Sequence, residues 1–253
     1  MQRQELPADA VRVWRGFRSV TMPLPDFLGL LGSVFIPATV ELQIQAGLDA
    51  YVPTVPGGLP GKPDTVPDET AILFWDSQPA YATAFNTLAV RTYTLTHGAV
   101  YGPGSGAQFP LPFAGELEVE QPYHLFTASV DWMRSAVRQV LVGRADPISP
   151  DDFRSSFASV VSSLQAAGRI SGGIACAGDN YFSFWGAGDG ADDAVAELLG
   201  ASGAGWSHVF APAPTRLPAG LWDDWPGMTV AAGDSFNMQF ARRWETSTDG
   251  GGA

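Results

Sequence analysis

The sequence predicts an α+β protein in which one β-α-β unit is used twice. Three observations lead there. The stretch Ala71–Tyr101 reads as strand, amphipathic helix and strand in succession. The dipeptide Phe184-Trp185 stands 110 positions after Phe74-Trp75, and each precedes a helical pattern. His97 and His208 follow those tryptophans by 22 and 23 residues. On this reading residues 1–10 are a polar tail, 11–113 a first half, 114–245 a second half and 246–253 a flexible tail.

In chain order, Val11–Val20 alternates as a strand, with Val11, Val13 and Phe17 on one side and Arg12, Trp14 and Arg18 on the other. Pro25-Asp26 opens a helix carrying Phe27, Leu28, Leu31, Val34 and Phe35. Pro37 should kink or restart it before Val40, Leu42, Ile44 and Leu48 continue the apolar pattern. Val52–Asp68 is rich in Pro and Gly and reads as unable to be helix or central strand, a loop whose length suits a lid or a disordered strap. Ile72–Trp75 is dense in β-formers. Asp76 and Ser77 offer N-cap oxygens, Pro79 fits a first helical turn, and Tyr81, Phe85, Leu88 and Thr92 recur at helical spacing up to Gly98.

In the second half, Tyr123–Trp132 reads as a strand and Met133–Val142 as a short helix. Pro150–Gly168 is a helix with Phe153, Phe157, Val160, Val161 and Leu164 on one face. Ile170–Cys176 and Tyr181–Trp185 form a strand pair around the turn Gly178-Asp179-Asn180. Asp189–Leu199 is a helix with Val195, Leu198 and Leu199 inward; Trp206–Phe210 and Ser235–Trp244 are strands. The 110-residue offset carries Trp14 to His124, within a residue or two.

A β-α-(β)-β-α-β module used twice resembles the ferredoxin-like units of the dimeric α/β-barrel superfamily, which includes antibiotic-biosynthesis monooxygenases and chlorite dismutase-like haem proteins. The resemblance covers roughly Val11–Tyr101 and Tyr123–Pro212. It implies tandem ferredoxin-like halves with antiparallel sheets covered by helices and a cavity between sheet and helices for a small apolar or aromatic molecule; the sequence leaves the oligomeric state open, a homodimer being one option.

The net charge of −12 argues against nucleic acid or anionic membrane as partner. The single cysteine, Cys176, excludes an internal disulfide, fits a reducing cytoplasm and lies in an apolar run as a buried thiol. Phe27–Val40, the most apolar window, reads as too short for a membrane span.

His97 leads the candidate site residues, because an imidazole between Arg91 and Tyr101 suits proton transfer from a phenolic or enolic substrate. The competing reading is a histidine on a helix C-terminal dipole. Asp76 is a helix cap or a base; a helix of about 18 residues would hold it about 27 Å from His97. Arg91 or Arg15 would stabilise an enolate. Trp14, Trp75 and Trp185 are candidates to line an aromatic pocket, with His124 and His208 as further substrate contacts. The 3 histidines form no HxH or HExxH pattern, so no metal site is expected. The resemblance implies cofactor-independent oxygenation or cyclisation. A haem-binding or hydrophobic-ligand carrier is the alternative, and a non-catalytic assembly protein a third reading.

Overall fold

The computed structural model describes residues 10–125, 132, 135–201, 203–217 and 228–240. Both expected tails (save Ala10), most of the strand expected at Tyr123–Trp132 and positions 241–244 of the expected last strand lie outside them.

The first half runs β1 (Val11–Gly16), α1 (Leu24–Leu30), α2 (Ile36–Gln43), β2 (Leu48–Thr54), β3 (Glu69–Trp75), α3 (Gln78–Phe85), α4 (Leu88–Thr96) and β4 (Gly106–Gln108). Two short strands follow, β5 (Leu111–Pro112) and β6 (Pro122–His124). The second half runs β7 (Val137–Arg144), α5 (Pro150–Ala167), β8 (Gly172–Ala177), β9 (Tyr181–Ala187), α6 (Ala191–Leu199) and β10 (Ala204–Phe210). β11 (Pro214–Leu217) and β12 (Asn237–Phe240) end the described chain.

The strands form two six-stranded sheets, ordered β11-β12-β2-β3-β1-β4 and β10-β7-β9-β8-β6-β5. Neighbours are antiparallel except for the pairs β11–β12 and β5–β6. The segments β4-β1-β3-β2 and β10-β7-β9-β8 share one connectivity, strand-helix-strand-strand-helix-strand. β5 joins the second sheet, and β11 and β12 return to the first, so the chain crosses between sheets near both ends of the span 114–245.

Strand alternation divides each sheet into two faces. Val11, Val13, Ile72 and Phe74 meet Val137, Ile174, Cys176 and Trp185 in one core between the sheets. Gln139 spans that core, its Nε2 donating to Thr70 Oγ1 at 2.8 Å and Ser183 Oγ at 3.0 Å. On the outer face of the first sheet, Tyr51, Ala71 and Trp75 pack under Phe27, Leu31, Phe35 and Val40. On the outer face of the second, Val140, Phe182 and Phe184 pack under Phe153, Phe157 and Leu198.

Several expectations need correcting. Leu48–Thr54 is a strand and not a helix end; all seven side chains are buried, so the segment shows no alternation to read. Val137–Arg144 is likewise a strand where a short helix was expected. It sits inside the second sheet between β10 and β9, and it takes the first-strand place that the offset gave to His124. The Pro79–Gly98 helix is two helices, because Thr87 accepts from Val90 N–H and starts α4 afresh. Leu24–Gln43 is a 20-residue helical run, long and apolar enough by composition to cross a membrane, which corrects the length expectation. Its apolar stripe is packed on the first sheet. Pro37 is accommodated by a wider π turn over Leu31–Phe35 instead of a break. Leu199 is 40% exposed and not inward. The Pro/Gly-rich stretch also departs from expectation: residues 52–54 belong to β2, inside the first sheet, and the rest is packed in place, with Pro60 O accepting from Trp206 Nε1 at 3.2 Å and Pro63 and Val66 lying over Gly143 of β7.

Candidate active site

The first sheet and its helices enclose between them a cavity of about 460 Å³. Its floor is the outer face of β1, β2 and β3, where alternation places Arg12 and Trp14 on one strand and Glu69, Leu73 and Trp75 on another. Its roof comes from α2, α3 and α4 and from the segment leading into β4.

Glu69, the first residue of β3, holds one end of this floor. It is 2% exposed and pairs with Gly16 across the sheet. Its carboxylate accepts from Trp14 Nε1 at 2.9 Å, from Tyr51 OH at 3.3 Å and from Tyr101 OH. Burial pushes its pKa up, and the three donors pull it part of the way back. The phenols of Tyr51 and Tyr101 are held well above their ordinary range by burial and by the neighbouring carboxylate, so both remain donors.

His97 caps the end of α4 and lines the same cavity. Its Nδ1 lies 3.2 Å from Tyr93 O, an oxygen that can only accept, so Nδ1 carries the proton and Nε2 the lone pair. Burial lowers its pKa below 6.5, keeping the ring neutral at neutral pH. The ring stacks on Tyr101 with centroids 5.5 Å apart and meets Trp14, Phe35 and Tyr93 edge-on at 5.4, 4.9 and 4.8 Å. Tyr93 is itself anchored: its hydroxyl donates to Phe35 O at 2.9 Å and lies 2.6 Å from Thr39 Oγ1. A neutral base and a buried carboxylate are thus joined through Tyr101.

Four candidates from the sequence converge here: Trp14, Trp75, His97 and Tyr101. The others do not. Arg91 is on the exposed face of α4 and donates to Asn86 Oδ1. Asp76 follows β3, where its N–H bonds Gly47 O at 2.8 Å, and the cap of α3 is Ser77 instead. Arg15 points between the sheets, where it pairs with Glu120 and its Nη1 lies 3.8 Å from Cys176 Sγ. Trp185 belongs to the core between the sheets. His124 lies on β6, and His208 lies within β10 between the rings of Trp206 and Phe210, not at a helix end. Cys176 is buried as expected, its thiol pushed up to about 11 by burial.

Glu69, Tyr51, Tyr93 and Arg12 were missed. Glu69 had a legible signal, since counting back from Trp75 by twos gives Leu73, Ala71 and Glu69. Among the described residues, no three His, Cys, Asp or Glu side chains come together as a metal site. At His97 the residues do not fit haem: four aromatic rings crowd the imidazole within 5.5 Å, where a macrocycle would need a flat slot.

What the architecture defines is a mixed α+β chain of antiparallel sheets and helices, with a partly polar cavity under the helices of the first sheet. No protein-family profile matches the sequence, and no curated protein matches it. Solved structures give distant likenesses. A "putative monooxygenase" of Lactobacillus acidophilus shares 8% identity at a TM-score of 0.35, over 79% of this chain and 90% of its own. One of Fusobacterium nucleatum under the same description shares 7% at 0.36, over 79% and 89%. An anthrone oxidase-like protein shares 9% at 0.35, over 83% and 94%. Likeness of this degree carries no argument about activity.

Proposed function

We propose that the protein is a small-molecule enzyme that deprotonates an apolar aromatic substrate, in the manner of a cofactor-independent oxygenase or cyclase. The observation that supports this reading is the pairing of a neutral imidazole with a buried, three-donor carboxylate on the wall of one cavity. His97 Nε2 would accept the proton of a phenol, an enol or an acidic C–H beside a carbonyl. The Tyr101 hydroxyl would turn its single proton from Glu69 to the oxyanion that forms, the carboxylate keeping its Trp14 and Tyr51 donors. That enolate could then react with dioxygen or close a ring on an internal carbonyl, and oxygen consumption separates the two. We further infer that β1–β4 and β7–β10 are two ferredoxin-like units fused in one chain, in the dimeric α/β-barrel manner. The shared connectivity of the two sheets supports this.

The test is turnover of polycyclic phenols and their keto tautomers under air, followed by oxygen uptake and product mass. His97→Asn should lower kcat about a hundredfold or more while moving the melting temperature little. Undiminished turnover by that variant would remove His97 from the chemistry.

A further inference from the structure

The end of the cavity away from Glu69 holds a guanidinium with no counter-charge. Arg12 sits on β1 opposite Leu73, four strand positions from the Glu69 pairing, which is about 13 Å along the sheet. Its Nη2 donates to Ala107 O at 2.7 Å, and its plane lies 4.1 Å over the ring of Tyr81. Its Nε is buried without an acceptor, and so is Nε1 of Trp75, whose ring touches the other side of this cluster through Tyr81 at 5.2 Å. Among the described residues no carboxylate forms an ion pair with Arg12; the nearest electrostatic partner is the neutral Tyr81 phenol. Guanidinium does not shed its charge to escape burial as a lysine can. The guanidinium is half-buried and meets only neutral partners, Ala107 O and the rings of Tyr81 and Phe109, so an anion in the cavity is what would complement its charge.

We propose that Arg12 is the anion-recognition residue of this cavity and that its ligands are aromatic carboxylates of about two or three fused rings. The carboxylate would sit on the Arg12 guanidinium, the rings would lie against Trp14, Trp75 and Tyr81, and the far edge would reach His97 and Glu69. The reacting end of this arrangement rests on the deprotonation proposed above; the anion preference does not.

Calorimetric titration with naphthoate and with naphthamide at neutral pH tests it, because the two differ in charge and hardly in shape. The wild type should bind naphthoate roughly tenfold more tightly or better. Arg12→Gln should bring the two affinities together while keeping the amide's. Arg12→Lys, with its charge but without the planar fork, should keep part of the preference. Equal affinities in the wild type, no binding of either probe, or a preference that survives in Arg12→Gln would each overturn the assignment. The wild-type ratio stands by itself should the glutamine variant fail to fold. His97→Asn should retain the preference, so loss of the deprotonation reading and loss of this one give different results.

Discussion

At the scale of single residues, two oppositely tuned groups give the site its pH behaviour. Glu69 binds its proton more tightly folded than unfolded, because burial disfavours the carboxylate. Its contribution to stability is therefore full below the unperturbed 4.5 and is lost as pH rises through the raised folded value. Melting temperatures of Glu69→Gln should accordingly depend less on pH from 4.5 upward than those of the wild type. His97 has the reverse sign: its contribution is present above 6.5 and is lost as pH falls through the lowered folded value. A profile of kcat/KM should rise with pH through a midpoint below 6.5, and a midpoint above that value would contradict the neutral, buried imidazole. His97 was legible from its place after an amphipathic helix, while strand period put Glu69 on the face of Trp75 without marking it as part of a site. Tyr51 and Tyr93 were not, because their partners arrive from other elements: Tyr51 reaches Glu69 across the β2–β3 pair, and Tyr93 reaches Phe35 O between two helices.

Among the elements, local chemistry decided most boundaries. α5 begins where Ser149 Oγ accepts from Asp152 N–H at 3.1 Å and ends at Gly168 in the left-handed region. Ser149→Ala should cost about 1 kcal/mol in denaturant melts. Gly190 starts α6 with φ 84°, and a Cβ there would stand 1.7 Å from Arg169 O. Gly190→Ala should therefore cost about 3 kcal/mol, read in the same melts, since the carbonyl is backbone and cannot swing aside. Such signals are written locally; Gly168 was read as the end of α5, whereas Ser149 and Gly190 were not picked out as the starts of α5 and α6. The failures fell on β2 and β7, whose side chains are buried on both faces or nearly so. A strand covered on both sides has an apolar run without alternation, which a helical core segment matches equally well.

For the whole molecule, the decisive contact is face-to-face packing of two sheets. Trp185 is fully buried there beside Trp132, Ile174 and Val137. Trp185→Ala should cost about 3–5 kcal/mol. Because β12 pairs with β2 after the chain has completed the second sheet, both sheets should melt in one transition. Separate transitions in calorimetry would show that the shared core does not couple them. The repeat that suggested two halves was also out of phase. Trp75 faces the helices and Phe74 the second sheet, whereas Trp185 faces the first sheet and Phe184 the helices. A shift of one residue exchanges the faces of a strand, so equal dipeptides stood at unequal positions in corresponding strands.

From the sequence by itself came the mixed α+β class, the two successive sets of strands and helices, the glycine that ends α5, and the cluster potential of Trp14, Trp75, His97 and Tyr101. All of these depend on neighbours within a few residues, or on the period of a strand or helix. Only the tertiary structure decided that Glu69 is the carboxylate and Arg12, not Arg91 or Arg15, the arginine of their cavity. It also decided that His124, Trp185 and His208 belong elsewhere. Those outcomes turn on which face of a sheet meets a helix layer and which meets another sheet. That choice is made by long-range pairing, and both faces of these strands are apolar enough to have served either side.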